Sequence, residues 1–337
     1  MTQTVNNSVK DRYFLSVVII GHNEGRRLPA LFDSLPRGAD IEWIYVDSQS
    51  TDNSVALALQ QGAKVYIVDE ESVYAPGTGR YIGTREAQGR WILYLDGDMV
   101  LRREFCLFLE RLKTAEDDLP QQVSGFVGKT CNHYLDENGS VVEITDCVVL
   151  PEREMGPVEN WGKPAGYHGG AVLYRRKRVL DAGNWNPAVY QLEEIDLYSR
   201  VRAGNGLVMA VNLPMVDHFT PYLSLMEKIK LNFLPYWRGK KLFGAGQVVA
   251  ARAKEGTLIQ FIRCYPYPFI VLSGLITAPF FYLIWPPLPL LSNAAIAIWL
   301  GIINKWYYYL VYLGNLLQIF RGLRCYVPFT PNYKKAS

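Results

Sequence analysis

Arg90-Trp91-Ile92-Leu93-Tyr94-Leu95-Asp96-Gly97-Asp98 decides the fold. Its unbroken apolar run reads as a strand covered on both faces, because a half-exposed strand would alternate. The run ends in a carboxylate. Three similar strands precede it: Ser16–Ile20 (SVVII), Ile41–Asp47 (IEWIYVD) and Lys64–Asp69 (KVYIVD). Between them lie an amphipathic stretch from Arg26 to Leu35, the segment VALALQQGA with Asp52 or Ser54 as its cap, and TGRYIGTREAQG. Strands alternating with helices predict an α/β fold: a Rossmann-like, mostly parallel sheet with helices on both faces.

In such sheets ligands bind beyond the carboxyl ends of the strands, where loops offer polar groups without burying them. Asp47, Asp96 and Asp98 fall there. Two aspartates around a glycine supply hard oxygen ligands for Mg²⁺ or Mn²⁺, and Gly97 leaves room for a phosphate beside the backbone. A solvated turn is the other reading of Asp-Gly-Asp. Beyond Leu119-Pro120 the strands shorten, and Asn138-Gly139 reads as a hairpin turn between HYLDE and SVVEIT. A glycine-rich stretch, Gly166-Tyr167-His168-Gly169-Gly170, precedes AVLYRR, and QLEEIDLYSRVRAGNG reads as an acidic loop entering a helix that stops at Gly204.

The chain has 337 residues and a net charge of +3, too small to argue for wrapping nucleic acid. Its five cysteines form no Cys-x-x-Cys pair and read as reduced thiols. The polar start, MTQTVNNSVKDRY, lacks the apolar core of a signal peptide. From Cys264 to Asn304 there is no charged residue, enough for a helical hairpin across a bilayer with Pro286, Pro287 and Pro289 at its break. Arg252, Lys254 and Arg263 precede this run and Arg321, Arg324, Lys334 and Lys335 follow it, which places both flanks in the cytosol. YYYLVYLGNLLQIF extends the second helix, forms a third, or lies in the interface. The expected organisation is a tail (1–13), a catalytic domain (14–221), an amphipathic interfacial segment (222–263), a transmembrane hairpin region (264–320) and a basic cytosolic tail (321–337).

From about Phe14 to His218 the chain resembles the family 2 glycosyltransferases of the GT-A fold. SVVIIGHNEG resembles the first strand and Asn-Glu loop, VDSQSTDNS the nucleoside-binding loop, and TGRYIGTREAQGRWILYLDGDM the helix and strand that deliver an Asp-x-Asp motif. AVLYRR and EEIDLYSRVRAGNG resemble the acceptor-side strand and acidic helix. The resemblance implies that Asn23, Glu24 and Asp47 line the nucleoside pocket, that Arg80 pairs with the diphosphate or with Asp96, and that Asp96 and Gly97 approach the donor. It further implies that Asp98, Asp96 and His218 hold a divalent metal. Glu193, Glu194 and Asp196 are the source of the catalytic base. The family usually has aspartate where Glu194 stands, so Glu193 is the competing base, and Asp196 joins His168, Gly169 and Gly170 as donor-sugar or acceptor residues. The alternatives are capping charges for the acids, a surface ion pair for Arg80 and core packing for the histidines.

The Gln-x-x-Arg-Trp motif of processive family members is absent after the acidic helix. The expected function is therefore inverting, metal-dependent transfer of one sugar from a nucleotide-diphosphate sugar, a UDP-sugar, to a lipid-linked glycan or glycolipid at the cell membrane. The rivals are transfer to a polyprenyl phosphate, and a non-catalytic membrane scaffold with the same fold. A nucleotidyltransferase would need a basic, glycine-rich loop where GHNEG stands.

Overall fold

In a computed structural model, the structure describes residues 11–70, 75–145, 161–166, 168–224, 226–227, 244–266, 269–270, 272–273 and 326–336. Nearly all of the expected transmembrane hairpin region (264–320), and residues 225 and 228–243 of the interfacial segment, lie outside them. Among the described residues no helix is long and apolar enough to cross a membrane.

Among the described residues eleven strands form one sheet: β1 (Tyr13–Gly21), β2 (Ile41–Asp47), β3 (Lys64–Val68), β4 (Gly89–Asp96), β5 (Met99–Leu101), β6 (Val123–Leu135), β7 (Val141–Thr145), β8 (Lys163–Pro164), β9 (Val172–Arg175), β10 (Leu207–Pro221) and β11 (Tyr333–Lys335). Their order is β11-β3-β2-β1-β4-β9-β6-β10-β5, with β7 on β6 and β8 on β10. β3, β2, β1 and β4 are parallel, as the alternating pattern predicts. β9 is antiparallel to both β4 and β6, and β10 runs parallel to β6. The carboxyl ends of β1, β2, β4, β6 and β10 therefore share one edge.

Alternate residues of the central strands feed two cores. Val17 and Ile19 of β1 and Leu93 and Leu95 of β4 pack with residues of α1 (Leu28–Ser34), α2 (Ser54–Gln60) and α4 (Arg103–Ala115). Val18, Ile20, Ile92 and Tyr94 pack on the other face against α3 (Pro76–Glu86), α5 (Arg176–Asp181) and α6 (Glu193–Ala203). A third cluster joins α6 to α7 (Gly244–Lys254) and α8 (Leu258–Cys264).

Two expectations change. The end of the basic tail is built into the sheet: Tyr333, Lys334 and Lys335 pair antiparallel with Val68, Ile67 and Tyr66 at the edge of β3. Cys131 is disulfide-bonded, whereas Cys106 and Cys264 are free, so the thiols are not uniformly reduced.

Candidate functional site

At the carboxyl edge the loops after β1 and β2 are stitched together. Ser48 N–H donates to the Gly21 carbonyl at 2.9 Å, and Asn23 N–H to Ser50 Oγ at 2.8 Å. Asn23 Oδ1 accepts from Thr51 N–H at 2.8 Å, and Glu24 N–H donates to Ser54 Oγ at 2.8 Å. Asn23 holds a left-handed φ of +59°, a conformation asparagine visits more readily than most side chains. Asp47, buried at the end of β2, accepts from Ser50 N–H at 2.8 Å and from the Tyr45 hydroxyl at 3.2 Å. Asn23, Glu24 and Asp47 thus lie on adjoining loops and strand ends tied together at one sheet edge.

Asp96 and Asp98 turn to different partners. Arg80, on α3 and 1% exposed, donates to Asp96 Oδ1 at 2.7 Å and to Glu193 Oε1 at 2.7 Å, and lies 4.0 Å from Glu194. Its guanidinium sits 5.1 Å from the centre of the Trp185 ring. Burial works against its charge, but Asp96, Glu193 and Glu194 outweigh burial and raise its pKa. Burial raises the pKa of both Glu193 and Glu194, with the charge of Glu194 adding to the effect on Glu193 and Arg80 opposing it. The shifts of Arg80 and Glu193 favour opposite outcomes for one ion pair. One guanidinium faces three carboxylates, so we assign the charge to Arg80 and a retained proton to the Glu193–Glu194 pair.

The acidic pair opens α6. Leu192 before it holds φ +63°, a left-handed conformation that costs a leucine about 1–3 kcal/mol and turns the chain sharply into the helix. Glu193 is buried against Arg80, whereas the side chain of Glu194 is 22% exposed.

Asp98 faces His218. Its Oδ2 lies 3.3 Å from His218 Nε2, and its buried Oδ1 has no hydrogen-bond partner among the described residues. The other ring nitrogen of His218 is 3.1 Å from Asn132 Oδ1 on β6. An amide oxygen only accepts, so Nδ1 carries the hydrogen and Nε2 of the neutral ring presents a lone pair to Asp98. Two electron-rich atoms facing each other beside an orphaned carboxylate oxygen fit a cation between them. Without one, Asp98 raises the pKa of His218 against the effect of burial. Glu24 joins this region: burial first, then the charge of Asp98, pushes its pKa up to about 7. A Cβ on Gly97 would stand 2.6 Å from Glu24 Cγ, so this glycine leaves space for Glu24 within the site.

The remaining expected site residues divide. Gly170 packs its backbone against Arg80 and Asp96, where a Cβ would collide with both, and so belongs to the site. Gly169 lies beside open space. His168 is buried, with Nε2 2.6 Å from the Tyr174 hydroxyl and Nδ1 2.8 Å from the Gly169 carbonyl. Both nitrogens are used, and burial lowers its pKa to about 4; it is a neutral core histidine and presents no free ring nitrogen to a sugar. Asp196 is likewise turned away from the site: fully buried, it binds Arg200 at 2.6 Å and Arg252 at 2.8 Å, clasping α6 to α7. The i,i+4 spacing of Asp196 and Arg200 signals that role in sequence.

Sequence reasoning missed Asn132 and Trp185, which meet the site only through tertiary packing. Cys131, His133 and Asp217 also bring ligand-type atoms within 4.8 Å of one another. The Cys131 sulfur is in a disulfide and Arg102 neutralises Asp217 at 3.1 Å, so this is no metal centre. A cavity of about 310 Å³ lined by Tyr13, Arg37, Trp43 and Lys64 opens at the amino ends of β1–β3, opposite the site.

Fold and site together define an α/β protein of GT-A type, with its polar groups gathered at the carboxyl edge of a mostly parallel sheet. Residues 16–179, just under half of the chain, match the family described as Glycosyl transferase family 2. It is 32% identical over 98 residues to a 4,4'-diaponeurosporenoate glycosyltransferase of Staphylococcus haemolyticus, covering 28% of this chain and 26% of that protein. An uncharacterized protein of Mycobacterium tuberculosis is 26% identical over 207 residues, 56% of this chain and 61% of its own. The chain thus spans from about a quarter to about three fifths of the curated relatives it matches. Among solved structures, the mannosyltransferase PcManGT of Pyrobaculum calidifontis in complex with GDP-Man and Mn²⁺ is similar at a TM-score of 0.47 and 16% identity, over 93% of this chain and 87% of that one.

Proposed function

We propose that this protein transfers a single sugar, with inversion, from a nucleotide-diphosphate sugar, a UDP-sugar, to a lipid-linked glycan or glycolipid at the cytosolic face of the cell membrane. The observation that carries the proposal is the convergence, at one sheet edge, of a cation-ready pair with a buried arginine bridging the Asp-x-Asp motif to an acidic helix start. Asp98 and His218 supply the first, and Arg80 links Asp96 to Glu193 and Glu194.

Asn23, Glu24 and Asp47 form the nucleoside wall, Asp47 accepting from the N–H of the base. The residues fit a divalent cation, which Asp98 and His218 would hold, and a mixed carboxylate and imidazole set suits Mn²⁺ better than Mg²⁺. When bound, such an ion acts as the Lewis acid that stabilises the departing diphosphate. Glu194 is the base. It is the more exposed of the pair, 4.0 Å rather than 2.7 Å from Arg80, and free to take the acceptor proton at its carboxylate. Burial raises its pKa above the ordinary carboxylate value, which makes it the stronger base. Glu193, fixed by Arg80, positions the helix start. Membrane location is supported by the uncharged run from Cys264 to Asn304 and its basic flanks.

Purified full-length protein in detergent, offered a panel of nucleotide sugars with Mn²⁺ or Mg²⁺ and membrane lipid extract, should release free nucleotide only with metal and lipid, and Asp98→Ala should abolish release. No release from any donor under any condition would leave the non-catalytic scaffold. Product analysis against pure polyprenyl phosphate tests the direct lipid-phosphate acceptor.

A further inference from the structure

The β6–β7 hairpin carries side chains that sugar transfer does not use. Val141, Val142 and Ile144 of β7 are 47%, 54% and 52% exposed. Among the described residues β7 pairs only with β6. An edge strand with three branched apolar side chains and neither lysine nor proline invites association with whatever lies beside it. The hairpin projects from the carboxyl ends of β6 and β10, the edge that holds the site. Tyr222 and Met226, also exposed, flank it: Tyr222 N–H donates to the Leu135 carbonyl at 2.7 Å, and its ring meets Tyr134. The turn rests on the first loop, with the Arg26 guanidinium against Gly139. The apolar rim is thus tied to the loop carrying Asn23 and Glu24.

We propose that this rim, Val141, Val142, Ile144, Tyr222 and Met226, seats in the headgroup region of an anionic bilayer and holds the mouth of the site at the level of a lipid-linked acceptor. The proposal rests on the membrane reading above. Charge selects the occupant. Beyond Met226 and the single acid Glu227, residues 228–241 contain Lys228, Lys230, Arg238, Lys240 and Lys241, no acid, and Phe233, Tyr236 and Trp237. Such a segment is drawn to anionic lipid and repels its own counterpart in a second copy. Edge-to-edge pairing of two β7 strands would also bring together two Glu143 side chains.

The test replaces Val142, and separately Ala39 at the opposite end of the sheet, with a fluorescent amino acid in the full-length protein. The protein is reconstituted in nanodiscs of phosphatidylcholine and phosphatidylglycerol, with or without bromine on the upper acyl carbons. The expected result is quenching by roughly twofold or more at Val142 and none at Ala39, as for an interfacial side chain. If the Val142 variant fails to fold, Ile144 serves as the second position with the same expectation. Retention of the protein in the disc without quenching at the rim overturns the proposal, and a disc holding two protomers with an unquenched rim does so in favour of self-association. Failure of the protein to remain in the disc removes the membrane reading itself, and the proposal with it.

Discussion

Asp98 Oδ2 and His218 Nε2 lie 3.3 Å apart, and the Asn132 amide fixes which nitrogen His218 presents. A partner that sets the tautomer of a ligand typically accounts for a factor of about 10–100 in metal affinity. Asn132→Ala should therefore weaken Mn²⁺ binding, followed by the electron paramagnetic resonance of free Mn²⁺, by about that factor while leaving the folded spectrum unchanged. Unaltered binding would show that His218 is not a ligand. At the base, Glu194→Gln should lower kcat by roughly 10²–10⁴-fold, the usual contribution of general base catalysis, with nucleotide-sugar affinity retained. Equal losses in kcat and in donor affinity would assign Glu194 to donor binding instead. His168 contributes an acid-side pH dependence of stability. The fold holds its pKa at about 4 against 6.5 for an exposed imidazole, so between these values the unfolded chain binds a proton that the native chain does not. The stabilising effect is complete above pH 6.5 and is lost as the pH falls toward 4, a loss of about 3 kcal/mol. Denaturant titrations of His168→Asn should lack that part of the acid slope.

At the level of elements, what was legible in sequence is what short-range patterning controls. The unbroken apolar runs of β1, β2, β3 and β4 announce a parallel sheet, because each strand is covered on both faces, and the β6–β7 turn is written in Asn138-Gly139. The carboxyl ends of those strands then locate Asp47, Asp96 and Asp98 without a structure. Long-range pairing is not written locally: Asn132 and His218 lie 86 residues apart and meet only because β6 and β10 pair in register. The same holds for the acidic start of α6, where three carboxylates look equivalent in sequence but the helix rotates Glu194 toward the site and Asp196 into the core. Asp196→Ala leaves Arg200 and Arg252 buried without their common counter-charge, so it should destabilise the protein by about 3–5 kcal/mol in equilibrium unfolding. A cost below about 1 kcal/mol would mean that the α6–α7 clasp is not formed.

For the whole molecule, the decisive contact is β11 on β3. Tyr333 pairs with Val68 and its hydroxyl donates to Glu86 at 2.6 Å, so the chain beyond residue 325 lies against the same sheet that carries the site. Charge patterning predicts, by a statistical tendency, that both flanks of the uncharged run share one face; the β11–β3 pairing requires a shared face by connectivity, whichever face it is. If the run from Cys264 to Asn304 enters a bilayer, the chain must cross an even number of times to bring β11 back to β3. Epitope tags appended before Met1 and after Ser337 should therefore both be accessible in inside-out vesicles and both protected in intact cells, whereas a tag within the proline break at residues 286–289 should show the opposite pattern. Tags at the two ends found on opposite faces would require β11 to be detached from the sheet. The open β3 edge and the uncovered Tyr66 would then appear as faster amide exchange along β3, an independent reading of the same connection.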